Sequence, residues 1–333
     1  MKYSVVFTLL IALFLLILPL AALPKDSKEP PKQSESETAS DTTSTIPSVE
    51  DRFVIWDEKN KETVTMDARE FIFYTVAAEM PVDYGIEALK AQTVASYTYF
   101  CYQRAGQQNA PSESLHGADF ADVPSCFPEG YTDEALREKW GSRYEECHQT
   151  LTKAVNAVFG HLVTYDGEPI LAAYHAISCG TTEKASVVWN TDHTYLQSVP
   201  SPGDTLADEF ETTTHFTAAE FAAALADVNG VSLSGTADQW LGKTVLSEAG
   251  TVATQTIGGL ALTGRQVRKL FSLRSAAFTV DYEDGGFTFT VHGYGHGVGM
   301  SQYGAGYLAR QGMTWEEILR YYYTGVTITD TRD

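Results

Sequence analysis

Two charged residues sit on the apolar side of their helical patterns, and both are of types that do acid–base or polar binding work. Residues 67–80 read "DAREFIFYTVAAEM", and Phe71, Ile72, Thr75 and Val76 form an apolar stripe that position 79 continues. Position 79 is Glu, and its flanks Val76, Ala77, Ala78 and Met80 are apolar. A carboxyl placed there is either paired with a neighbouring Lys or backbone amide, or its pKa rises because burial disfavours the ionised form. A raised carboxyl is what a general acid at neutral pH requires. The following pattern, residues 85–102 ("GIEALKAQTVASYTYFCY"), repeats the anomaly, since Lys90 lies four after Ile86 and three before Thr93. Lys90 either shares a polar site with Glu79 or snorkels from the edge of its stripe.

A second concentration of hydrogen-bonding side chains is "VHGYGHGVGMSQYGAG" at 291–306. His292, Tyr294, His296, Val298 and Met300 alternate with glycines, which predicts a strand with one bare face. Glycine packs nothing in a strand, so a bare face implies close approach by another backbone or a ligand. The spacing fits neither phosphate-binding glycine fingerprint. Four residues along a strand also put His292 and His296 roughly 13 Å apart at ~3.3 Å per residue, too far to share one zinc ion. Cys179 and His175 fall on one strand face, the minimum for a Cys/His hydrolase, but no orienting partner or helix start accompanies them.

The elements that must hold these residues begin with a short strand at "FVIWD". Asp67 N-caps the first helix, Glu70 completes a capping-box pattern, and Pro81 ends it. The rest reads as α+β: early helices packed on mixed strands from the middle and C-terminal blocks. Residues 203–256, Thr/Ala/Gly-rich, read as an inserted peripheral unit. Residues 1–23 hold one Lys and about twenty uncharged, mostly apolar residues, enough for a membrane-spanning helix and longer than a signal-peptide core. Together with a poorly defined cleavage site this predicts an uncleaved single-pass anchor (1–24), a disordered tether (25–51) and an exported domain (52–330). The chain of 333 residues is 44% hydrophobic with a net charge of −20, which argues against nucleic acid as a partner. The four cysteines (Cys101, Cys126, Cys147, Cys179) allow three pairings among which the spacings do not choose, or remain free thiols.

Three blocks resemble the SpoIID/LytB family: "FIFYTVAAEMPVDYGIEALKAQTVASYTY" at 71–99, "AAYHAISCGTTEKASVVW" at 172–189 and "GYGHGVGMSQYGAGYLARQGMTWEEILRYYYTGVTI" at 293–328. The resemblance implies a membrane-anchored lytic transglycosylase acting on peptidoglycan glycan strands already stripped of stem peptides, with a sporulation cell-wall amidase and membrane engulfment proteins as partners and no cofactor. By position it makes Glu79 catalytic and Lys90 the conserved-motif lysine. If the glycine-rich strand lines a sugar cleft near Glu79, then Lys90, Tyr97, His175, Ser178, His292, His296, Gln302 and Tyr303 are the substrate-binding candidates, with His292, His296, Gln302 and Tyr303 otherwise packing that supports the site. One carboxyl suffices for that chemistry: it protonates the glycosidic oxygen, then takes a proton from the muramic C6 hydroxyl as a 1,6-anhydro ring closes. No activated water is needed, so no second carboxylate is obligatory. Three departures stand out. Tyr97 occupies the place of an Arg in the family's A-R-T-Y string, offering a stacking face without the charge. "YHAISCG" replaces a Ser-rich loop. In "HGADFADVPSC" only His116 and Cys126 remain of a zinc cluster borne by some members, too few ligands for a structural metal. The alternative from another class is a non-catalytic glycan-binding or scaffolding protein, which binding without strand scission would reveal.

Overall fold

The computed structural model describes residues 51–122 and 130–331, and the anchor, the tether to residue 50 and Cys126 lie outside the described residues. Among the described residues no helix is long and apolar enough to cross a membrane.

Strand β1 (Arg52–Asp57) pairs antiparallel with β2 (Glu62–Asp67). The turn between them is held by Asp57, whose carboxylate accepts from the backbone N–H groups of Lys59 and Asn60. Helix α1 (Ala68–Glu79) starts where expected, Asp67 accepting from the Glu70 N–H at 3.0 Å, and stops before Pro81. Helix α2 (Ile86–Asn109) runs seven residues beyond its predicted end and is the central post of the domain, packing against α1 and against the later helices at 144–158, 302–310 and 315–322. The two-residue strand β3 (Phe120–Ala121) lies parallel to β1. Helices α3 (Asp133–Trp140) and α4 (Tyr144–Val158) follow, the latter against α2, and then β4 (His161–Tyr165) and β5 (Glu168–Pro169). The core they enclose is aromatic, with Phe71 edge-on to Phe100 at 4.7 Å and stacked on Tyr131 at 5.4 Å. Such pairs add roughly 0.5–1.5 kcal/mol each beyond their buried area.

Strand β6 (Tyr174–His175) and helix α5 (Ala185–Trp189) lead into a second unit with its own core. Here β7 (Glu211–Thr217), helix α6 (Ala218–Ala224), β8 (Leu241–Leu246), β9 (Val252–Ile257), β10 (Leu260–Thr263), helix α7 (Gly264–Leu270), β11 (Phe278–Glu283) and β12 (Gly286–His292) form two antiparallel three-stranded sheets, β11-β12-β7 and β10-β9-β8. Phe221, Phe271, Phe287 and Phe289 fill it, Phe221 stacked on Phe287 at 3.8 Å. The insertion is therefore real but ends some 35 residues later than its composition suggested, because β7 finds its partner in β12. The chain then returns to the first core through β13 (Met300–Ser301), parallel to β6, and closes with α8 (Gln302–Arg310), α9 (Trp315–Tyr322) and β14 (Thr327–Asp330), the last pairing with β4. The architecture is mixed α+β, as expected.

One sequence expectation fails here. The strand ends at His292, and residues 293–299 are a turn-rich crossing in which every second residue is left-handed: Gly293 at φ +75°, Gly295 at +118°, Gly297 at +81° and Gly299 at +73°. Period two arose from alternating backbone sign rather than from a pleat. The reason for bare backbone holds, since a Cβ on Gly299 would come within 2.0 Å of the Ala173 carbonyl oxygen, and one on Gly293 within 2.6 Å of that of Ile177. It is another segment of the protein, not a ligand, that approaches this closely.

Candidate active site

Glu79 is the last residue of α1, and its carboxyl is half-buried where the first turn of α8 meets α2. Gln302, the first residue of α8, is 5% exposed and donates from Nε2 to Glu79 Oε2 at 3.2 Å. The same amide reaches Gln92 Oε1 at 3.4 Å, Gln92 donates to Ser96 Oγ at 3.0 Å, and Ser96 donates to the Tyr174 hydroxyl at 3.4 Å. This relay ties α1, α2, β6 and α8 together in a fixed donor direction. Gln92 and Ser96 lie one helical turn apart on the buried side of α2, which puts two polar groups in an apolar interior where each needs a partner.

Burial pushes the Glu79 carboxyl up to about 7, against smaller lowering effects from the Gln302 hydrogen bond and the Lys139 charge. A helix C-terminus, with its exposed carbonyls, acts in the same direction as burial. Lys139 reaches over from α3 to cap those carbonyls, donating to Ala77 O at 2.6 Å. Tyr99, Tyr174 and Tyr294 all feel the Glu79 charge, and among the described residues no second carboxylate influences its ionisation. With Oε2 held by Gln302, Oε1 is the atom available to a substrate.

The other predicted residues divide into three groups. Gln302 joins Glu79 directly. His175, Ser178 and His296 lie behind it, in the layer where β6 meets the glycine crossing. His175 is fully buried with Nδ1 3.1 Å from Val298 O, and burial holds it down to about 4, so it is a neutral imidazole. His296 accepts from the Val298 N–H, and burial keeps its pKa well below the usual range too. Ser178 donates to the buried carboxylate of Asp204 at 2.5 Å, which also receives the Ser178 N–H and the Ser301 hydroxyl. Asp204 is thus a structural knot fastening the β6 loop to the N-cap of α8.

The remaining four stand apart, and for Tyr97 and Lys90 this corrects the sequence reading. Tyr97 is 1% exposed, tilted against Phe159 at 4.7 Å, with its hydroxyl on Asp51 beside Arg104, so it is a core residue and presents no face to a sugar. Lys90 binds Glu87 at 2.7 Å, and Glu87 in turn accepts from the Trp315 N–H. The pair fastens α2 to the start of α9, while the lysine whose charge reaches Glu79 is Lys139. Tyr303 donates to Leu206 O at 3.1 Å and meets Tyr84 edge-on, at the surface of α8. His292 belongs to the second unit, stacked on Phe210 and 3.0 Å from Glu211.

Cys179 and His175 form no dyad: the thiol donates to Ala249 O at 3.3 Å, and burial raises its pKa, the reverse of activation. Cys101, Cys147 and Cys179 are free thiols. His116 packs on Trp56 at 4.1 Å, and no group of three metal-ligating side chains occurs among the described residues.

A mixed α+β domain organised around one desolvated glutamic acid, with an amide clamp, is the class of protein that fold and site define. Residues 57–165 match the model of SpoIID, stage II sporulation protein. The chain is 34% identical to stage II sporulation protein D of Bacillus subtilis (strain 168) over 338 residues, covering 99% of this chain and 96% of that protein. It is 36% identical to the protein of that name from Bacillus amyloliquefaciens, over 83% of this chain and 78% of the relative. The amidase enhancer of Bacillus subtilis (strain 168) is 27% identical over 75% of this chain and 39% of its own length. The chain belongs to the SpoIID family of stage II sporulation proteins.

Proposed function

We propose that the protein is a membrane-anchored lytic transglycosylase that cleaves denuded peptidoglycan glycan strands during sporulation, leaving 1,6-anhydro-muramic ends. The observation that carries this reading is the Glu79 carboxyl, raised to about 7 by burial and held by one amide with no second carboxylate beside it. At neutral pH such a group is divided between acid and base forms, which suits one residue acting as both. Protonated Oε1 donates to the glycosidic oxygen as the bond to C1 breaks. The resulting carboxylate accepts the proton of the muramic C6 hydroxyl as that oxygen bonds to C1, and Glu79 is returned to its acid form with no water consumed. Gln302 keeps the carboxyl oriented in both states, since Oε2 accepts whether or not Oε1 carries the proton.

The amidase-enhancer relative supports a cell-wall setting and an amidase as the partner that strips the strands. Residues 1–24 would fix the protein to the membrane with residues 52–330 on the extracytoplasmic side. The test is to incubate the protein with amidase-stripped glycan strands and weigh the products. Anhydro ends, one water lighter than reducing ends and absent with Glu79→Gln, are expected. Reducing ends alone would make it a hydrolase, and binding without scission would make it a scaffold.

A further inference from the structure

A cavity of about 920 Å³ lies between the two cores, walled by the 177–181 loop and α5 on one side and by β9 and α7 on the other, with Glu79 not among its lining residues. Its size is in the range of pockets that hold small-molecule ligands. In a chain with 20 more acidic than basic charges, no Asp or Glu lines it, whereas Arg265, Arg268 and Lys269 do.

Arg268 is the unusual member. It is 5% exposed, and its Nε donates to Leu273 O at 3.2 Å. Among the described residues no carboxylate pairs with it, the one hydrogen bond it makes there is from Nε, and the residue lines the cavity. A buried guanidinium without a counter-ion is costly, and burial pulls its pKa down to about 10. Such a group is retained where an anion arrives to pair with its fork. The indole of Trp189 forms part of the opposite wall, 5.1 Å from the His296 ring, and offers an apolar face beside the charge. Tyr294 feels both the Glu79 and the Arg268 charges.

We propose that this cavity binds a carboxylate-bearing sugar unit, with Arg268 forked onto the carboxylate and Trp189 against the ring. Resting on the glycan reading of Glu79, the ligand is the muramic lactyl group of the strand being cleaved. Removing a stem peptide turns a neutral lactyl amide into a free carboxylate, so Arg268 would let the protein distinguish stripped strands from intact ones. The carboxylate favours the cationic wall, while a peptide-bearing unit would leave the guanidinium unpaired.

Calorimetry on the full chain carrying Glu79→Gln, which prevents turnover, tests this with a tetrasaccharide of alternating N-acetylglucosamine and N-acetylmuramic acid and with its methyl ester. The free acid should bind at least ~10-fold tighter than the ester, the effect of one charge-assisted contact. Arg268→Gln should abolish that preference and Arg268→Lys retain part of it, with both variants checked for unchanged melting. Equal affinity for acid and ester, a preference that survives Arg268→Gln, or no binding of either sugar overturns the proposal. Competition by equimolar inorganic phosphate also overturns it, reassigning the cavity to a phosphorylated polymer. Because no arm depends on cleavage, a carboxylate preference in a chain whose wild type yields no anhydro ends would sink the transglycosylase reading and leave this site standing.

Discussion

Glu79 was legible because one carboxyl on an apolar stripe contradicts its own helix, and the structure gives that contradiction an energetic form. Its pKa of about 7 lies above the 4.5 of a free glutamate, so the folded state keeps the proton through the interval in which the unfolded chain loses it. Stability from this group is therefore complete below pH 4.5 and declines as pH rises through 7. Glu79→Gln cannot ionise, so the difference in melting temperature between variant and wild type should grow in the variant's favour from pH 4.5 to 8. A flat difference would mean that the carboxyl is not desolvated in solution. The same titration sets the rate: strand cleavage should fall about tenfold per pH unit above 7 as the acid form is depleted, and Glu79→Gln should lower it at least ~10²-fold at any pH. Assay of stripped strands across pH 5–9 checks both. Tyr97 shows the opposite case. Its position in a motif suggested a sugar platform, but the side chain is buried in the core and its phenol donates to Asp51. What no local pattern shows is a partner 223 residues away, and Gln302 is such a partner.

At the level of elements, α8 and the glycine crossing carry the site to Glu79. Gln302→Met keeps the volume of the side chain and removes its amide, the hydrogen bond that lowers the Glu79 pKa. The alkaline limb of the pH–rate profile should then move to higher pH, and Gln92, left without its donor, should cost about 1–3 kcal/mol of stability. An unmoved limb would detach Gln302 from the acid. The crossing makes a sharper demand. Gly299→Ala combines a left-handed φ with a Cβ 2.0 Å from the Ala173 oxygen, so the β6–β13 pairing that seats Ser301 and Gln302 must open, at about 3 kcal/mol or more. Gly250→Ala has a similar φ of +91° with nothing within 4 Å, and should lose only the conformational preference, roughly 1–2 kcal/mol. Denaturant melts of the pair separate backbone strain from collision, and equal losses would mean that the crossing is not tightly packed. The period-two pattern predicted closeness correctly and conformation wrongly, because residue spacing cannot distinguish a pleated strand from a chain whose φ is positive at every second residue.

Across the whole molecule, the split into two cores was only partly visible in sequence. Composition marked the inserted unit's beginning, but its end depends on β12 pairing back to β7, a long-range register that leaves no local signature. The cavity between the cores was invisible for the same reason, since Arg268 and Trp189 belong to separate blocks. The N-terminus is the reverse case: it lies outside the described residues, yet its physics is simple. As a helix, about twenty apolar residues at 1.5 Å each would span the ~30 Å hydrocarbon core of a bilayer, and under the anchor proposed above Lys2 would favour a cytoplasmic start. A helix held by apolar burial alone resists alkaline carbonate, which strips proteins attached by charge. The full-length protein should therefore remain in the membrane pellet at high pH, with its C-terminus open to protease only from the exported side, and deletion of residues 1–24 should release it. Recovery of a soluble form beginning near Lys25 would show instead that the apolar run is a cleaved signal, and would free the catalytic unit from any membrane-imposed reach.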